Sequence, residues 1–140
     1  MKPGAKMSKK NTVLLDANII VRFLIGDGGR LYQRSVKLFR KIEEGKLKAN
    51  ILEPVLAEVV YVLQKVYQVD PEDISAVLIP IIEMKSIKTS NQTVIINALE
   101  IFHRENIDFV DAILCAYHRV LDFEVLSFDK KLGRILNGRE

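Results

Sequence analysis

Thr12-Val13-Leu14-Leu15-Asp16 is a β-branched and aliphatic run that stops on an acid. Between Val13 and Leu15 no polar residue marks a solvent face, as in a strand buried on both sides in a parallel sheet. Residues 18–25 follow as a predicted helix, halted by the breaker cluster Gly26-Asp27-Gly28-Gly29. A second such run, Phe123-Glu124-Val125-Leu126, leads into Ser127-Phe128-Asp129 and is predicted to be another strand with an acid at its end. Residues 49–52 and 87–89 are weaker strand candidates.

Helical periodicity fills the rest. Over residues 30–44, Leu31, Leu38 and Ile42 recur on one stripe with Phe39 beside them, and Arg30, Arg34, Lys37 and Lys41 recur on the adjacent stripe. Glu53-Pro54 opens a helix expected to reach about residue 67, with Pro in the first turn. Asp70-Pro71-Glu72-Asp73 opens one expected to reach about residue 84, which Pro80 is expected to bend or end early. Ser90 or Asn91 caps a helix to about residue 104; residues 108–121 and 130–136 form two more. Short strands alternating with helices predict an α/β fold: a central short parallel sheet with helices on both faces.

The chain has 140 residues, about half apolar and 28% charged, which suits one domain of ordinary globular composition. Residues 1–11 read as a loose basic tail, with Met1 or Met7 as the native start, and residues 12–140 as the domain. Cys115 is the sole cysteine, so no intrachain disulfide forms, which suits a reducing cytoplasm. Apolar runs are too short to span a bilayer, and the basic start lacks the apolar stretch of a signal peptide. Residues 1–48 hold 12 Lys/Arg against 4 Asp/Glu, and residues 49–140 hold 9 against 14. Such a basic half attracts polyanions, although a solvated face with a basic tail has the same composition.

In an open α/β sheet, ligands bind at the carboxyl ends of the strands. Asp16 and Asp129 are expected there, as helix caps or as metal ligands. Glu58 sits among Val55, Leu56, Ala57, Val59, Val60 and Val62, where an acid must be paired, protonated or metal-bound. Asp111 falls in the first turn of its helix, with Asp108 one turn earlier as the expected cap. Acids that converge repel one another unless a cation sits between them. An all-oxygen donor set selects Mg²⁺ or Mn²⁺ over zinc. His103, His118 and Cys115 lack partners at metal-ligand spacing and read as structural.

The four segments Val13-Leu14-Leu15-Asp16-Ala17-Asn18, Glu53-Pro54-Val55-Leu56-Ala57-Glu58-Val59, Ile107-Asp108-Phe109-Val110-Asp111-Ala112 and Leu126-Ser127-Phe128-Asp129 together resemble a PIN-domain ribonuclease over residues 12–136. The likeness is to VapC-type toxins of toxin–antitoxin pairs. It implies Asp16, Glu58, Asp111 and Asp129 as an acidic quartet binding one or two Mg²⁺ or Mn²⁺ ions for RNA hydrolysis. Asn18 and Ser127 match polar positions that orient a carboxylate or water; Ser127 stands where Thr is commoner in the family. The resemblance also implies a homodimer and a VapB-like antitoxin partner. The Arg30, Arg34, Lys37, Lys41 stripe is a candidate RNA path or partner face.

Other classes fit less well. A phospho-acceptor receiver needs an acidic pair after the first strand and a lysine after the last, and a haloacid-type phosphatase needs Asp-x-Asp where Asn18 intervenes. The remaining alternatives are an RNA-processing PIN nuclease without antitoxin and a non-catalytic PIN-like binding module. Retention of all four acids argues against the latter.

Overall fold

The computed structural model describes residues 12–138; the basic tail and its two candidate starts lie outside them. Strand β1 (Thr12–Leu14) is followed by helices α1 (Ala17–Ile25) and α2 (Arg30–Glu43), then β2 (Lys48–Asn50). Helix α3 (Glu53–Tyr61) runs on into a π-helical turn at Val62–Val66. Then come α4 (Pro71–Ile82), β3 (Ile87–Lys88), α5 (Gln92–Glu105), α6 (Phe109–Leu121) and α7 (Lys130–Gly138). The three strands form one parallel sheet in the order β1-β2-β3, with Val13 opposite Ala49 and Ala49 opposite Ile87. All three carboxyl ends therefore lie at one edge, and the residues that follow them there are Asp16, Glu53 and Ser90.

Local chemistry explains most boundaries. Helix α1 ends at Gly26, whose φ of 66° is the left-handed conformation that closes a helix cheaply only without a Cβ. Asp27 secures the next turn by accepting from the Gly29 amide at 2.9 Å and pairing with Arg22 at 3.2 Å. Asn91 caps α5 by accepting from the Val94 amide at 3.1 Å. Pro80 does not end α4, which continues past it to Ile82. It stands in the last turn, and the helix bond from the Glu83 amide to the Ile79 carbonyl closes normally beyond it at 2.9 Å.

Helix α5 is the centre of the core. Val94, Ile95, Ala98, Leu99, Ile101 and Phe102 are all inaccessible to water, and α6 lies along this helix with Phe109 edge-on to Phe102 at 5.7 Å. Ser75 of α4 donates to the Leu99 carbonyl at 2.7 Å inside the same interface. In α2 the buried stripe is Ser35, Phe39 and Ile42. The expected stripe was placed slightly off: Leu31 is largely exposed and Phe39 takes the central position, stacked on Phe23 of α1 with ring centres 4.1 Å apart.

The strand expected at residues 123–126 is not formed. Asp122 turns into the left-handed region at φ 64°, and the Phe123 amide folds back toward the Tyr117 carbonyl. The His118 ring, through Nδ1–H, donates to the Phe123 carbonyl at 2.7 Å. This end of the segment is tied to the helix it leaves and not to the sheet. Phe123, Leu126 and Phe128 consequently face solvent, and β1, with Leu14 64% exposed, is an edge strand.

Candidate active site

Asp111 stands in the first turn of α6, placed there by the N-cap position of Asp108. The Asp108 side chain makes no capping bond, so its carboxylate stays available beside Asp111. Across from them, Asp129 opens α7. Its Oδ1 accepts from the Leu132 amide at 2.9 Å, its carbonyl accepts from the Gly133 amide at 3.0 Å, and its own amide donates to Ser127 Oγ at 3.0 Å. Asp129 is thus a helix cap, as one of its two readings required, and that capping holds it in place while Oδ2 is unused by it. Leu132, buried, anchors α7 behind it.

Asp108, Asp111 and Asp129 line one cavity of about 230 Å³ together with Asn106, Ile107, Lys131 and Leu132. Lys131 spans its mouth, with Nζ donating to the Asn106 carbonyl at 2.9 Å. Burial, then the negative charges of Asp108 and Asp129, hold the Asp111 carboxyl above the ordinary aspartate range. Asp108 and Asp111 also border a second cleft, about 580 Å³, walled by Ala57, Val60, Tyr61, Gln64 and Lys65 along α3 and the π-helical turn.

The other two acids of the expected quartet line neither cavity. Asp16 follows β1 at the N-cap position of α1, exposed and without a side-chain capping bond. Asn18 is likewise exposed, and Ser127 holds the Asp129 amide as described. Glu58 corrects an expectation: it is exposed, not buried. Leu56, Val59, Val60 and Leu63 occupy the inward face at helical spacing, which turns position 58 outward despite its apolar neighbours. Among the described residues no three His, Cys, Asp or Glu side chains stand close enough together to hold a metal ion.

The α6 group bonded at the sheet's carboxyl edge is Tyr117, not Asp111. Its hydroxyl donates to Glu53 Oε2 at 2.5 Å, and the Ser90 hydroxyl donates to the same oxygen. Asp111 lies six positions back along α6, ~9 Å of helix rise away. The hydrogen bond to Glu53 raises the Tyr117 phenol, partly offset by Ser90. Cys115 is buried, which pushes its thiol up and makes it inert, in keeping with a structural role. His118 braces the turn after α6, and His103 is exposed in the last turn of α5.

The profile of the PIN domain family matches residues 13–136, nearly all of the described chain. The chain belongs to the PIN domain family. A comparison with curated proteins returns no match. PIN domains are usually nucleases that act on RNA with divalent metal ions. The α/β architecture expected for a single PIN domain is the one observed: among the described residues, a three-stranded parallel sheet with seven α-helices. Among the described residues no helix is long and apolar enough to cross a membrane.

Donor chemistry in the Asp111 cavity suits the family's ions. Carboxylate oxygens are hard ligands of the kind that select Mg²⁺ or Mn²⁺, although Asp108, Asp111 and Asp129 do not by themselves close into a three-acid metal-holding group. Asp108, expected only as a helix cap, also lines this cavity. Its signal was present: a second acid one turn before Asp111 shares a helix face with it.

Proposed function

We propose that this PIN domain is a divalent-metal-dependent endoribonuclease hydrolysing RNA phosphodiester bonds. We further propose that it is the toxin of a VapBC-type pair, cytoplasmic, homodimeric and restrained by a VapB-like antitoxin. The observation that carries the catalytic part is the shared cavity of Asp111 and Asp129, two acids from separate segments of the sequence resemblance. The toxin assignment rests on the likeness of the four motifs.

In this reading Asp111 and Asp129 would hold Mg²⁺ or Mn²⁺. Asp16 joins them as a ligand, and Glu58 serves as ligand or as base for the attacking water. When bound, the ion lowers the pKa of a coordinated water and stabilises charge on the phosphate and the leaving oxygen. Asn18 and Ser127 orient the acids beside them. Capping keeps Asp129 fixed, and the negative charges of Asp108 and Asp129 beside Asp111 favour a cation there.

The test is cleavage of a mixed single-stranded RNA and tRNA pool with Mn²⁺, with EDTA, and by Asp111→Asn and Asp16→Asn. Metal-dependent products that either substitution reduces by about 100-fold or more, with unchanged circular dichroism, are expected. Unchanged turnover in either variant rejects that residue's role. Absence of both cleavage and Mn²⁺ binding in the wild type replaces the nuclease with a binding module.

A further inference from the structure

A basic cleft opens beside the acid cavity. It is about 780 Å³ and is walled by Arg104 of α5, Arg119 of α6, and Lys131, Arg134 and Ile135 of α7. The single acid on its wall is Glu105, which lies 3.6 Å from its neighbour Arg104. Among the described residues neither Arg119 nor Arg134 takes part in an ion pair. The cleft carries a net positive charge in the more acidic part of the chain, where composition gave no reason to expect it. Lys131 lines both this cleft and the cavity holding Asp111 and Asp129, so the two are neighbours sharing a wall.

The stripe Arg30, Arg34, Lys37 and Lys41 differs in shape and place. Its four side chains stand exposed along α2, and none of them lines a cavity that Asp111 lines. We infer that the cleft between α5, α6 and α7, through Arg104, Arg119, Lys131 and Arg134, is the site that binds the phosphate backbone of single-stranded RNA and leads it to the Asp111 cavity. Arginine suits the task because its planar fork matches phosphate oxygens, and a concave wall built from three helices holds several phosphates at once. The same charges would also receive an acidic polypeptide; adjacency to the acid cavity favours the nucleic acid. The inference rests on the nuclease reading above, and the experiment below separates the two.

The probe is a fluorescein-labelled 12-nucleotide single-stranded RNA, with binding followed by anisotropy in EDTA across a salt series. Four phosphate contacts give a log–log salt slope of about −2.8 for a single strand, and removing two gives about −1.4. Affinities equal at 1 M salt then differ by about 25-fold at 0.1 M. Arg119→Ala with Arg134→Ala is expected to bind about 25-fold more weakly at 0.1 M salt with half the slope. Arg119→Lys with Arg134→Lys, which keeps the charges, recovers most of the loss, and Arg34→Ala with Lys37→Ala changes nothing.

The inference is overturned if wild type binds no RNA, or if the paired alanine variant binds like wild type with an unchanged melting curve. Loss on the α2 pair instead overturns it too, as does tighter binding of DNA of the same sequence or of polyglutamate. RNA held by the cleft but never cut in Mn²⁺ sinks the nuclease reading and leaves the cleft standing. Cutting that is indifferent to the cleft does the reverse.

Discussion

Tyr117→Phe isolates the bond that ties α6 to the carboxyl edge of the sheet. The substitution removes one hydroxyl, and the ring keeps its edge-on packing against Phe123 at 5.9 Å. Glu53 loses the 2.5 Å donor and retains Ser90. A hydrogen bond to a charged group contributes about 1.5–3 kcal/mol, and the partial exposure of this site brings that to about 1–1.5 kcal/mol. For a chain of this size the melting temperature falls by roughly 3–6 °C. The phenol's folded pKa lies above its unfolded value because the bond donated to Glu53 keeps the proton on Tyr117. The bond's contribution is therefore complete below the unfolded pKa, about 10, and is lost as pH rises through the folded pKa. Urea unfolding of wild type and variant, followed by circular dichroism from pH 7 to pH 11, reads both effects. A deficit at pH 7 that closes in the alkaline range is expected. A deficit below about 0.3 kcal/mol, or one constant with pH, refutes the reasoning.

Two further substitutions test the scaffold. Phe102→Ala opens a cavity at the α5–α6 interface where the ring is wholly buried against Phe109; a loss of about 3–5 kcal/mol in urea unfolding is expected, and less than 2 would show the site collapsing freely. Gly26→Ala forces a Cβ into the left-handed region 3.5 Å from Tyr32, and calorimetry is expected to show a loss of about 1–2 kcal/mol.

Periodicity and punctuation carried most of the fold. The aliphatic run ending at Asp16, the glycines after α1 and the Asp70-Pro71 start of α4 each act within a few residues, so their physics is local and readable. Residues 123–126 show the limit. A short apolar run signals burial only where a partner exists, and here a left-handed residue and a histidine bond hold the start of the run against α6. Glu58 failed for a similar reason: composition suggested burial, and only the helical phase, fixed by Leu56, Val59 and Val60, decided its direction. Asp111 and Asp129 were legible because each sits at a motif that is both a helix start and an acid. The Tyr117–Glu53–Ser90 brace was not, since partners 64 and 37 positions apart leave no periodic trace. The basic cleft was equally hidden, because its cations come from three helices and the surrounding sequence is acid-rich.

An open β1 edge and an exposed apolar segment on one molecule have a bearing on its solubility. Among the described residues β1 has an unpaired edge, which presents amide and carbonyl groups to any extended chain, and Phe123-Glu124-Val125-Leu126-Ser127-Phe128 has the apolar, weakly charged character of sequences that seed cross-β stacking. Glu124 is the one charge inside that segment, and it acts as the gatekeeper against aggregation. Its neutralisation, by substitution or by acid, would leave the segment without any charge to oppose stacking at high protein concentration.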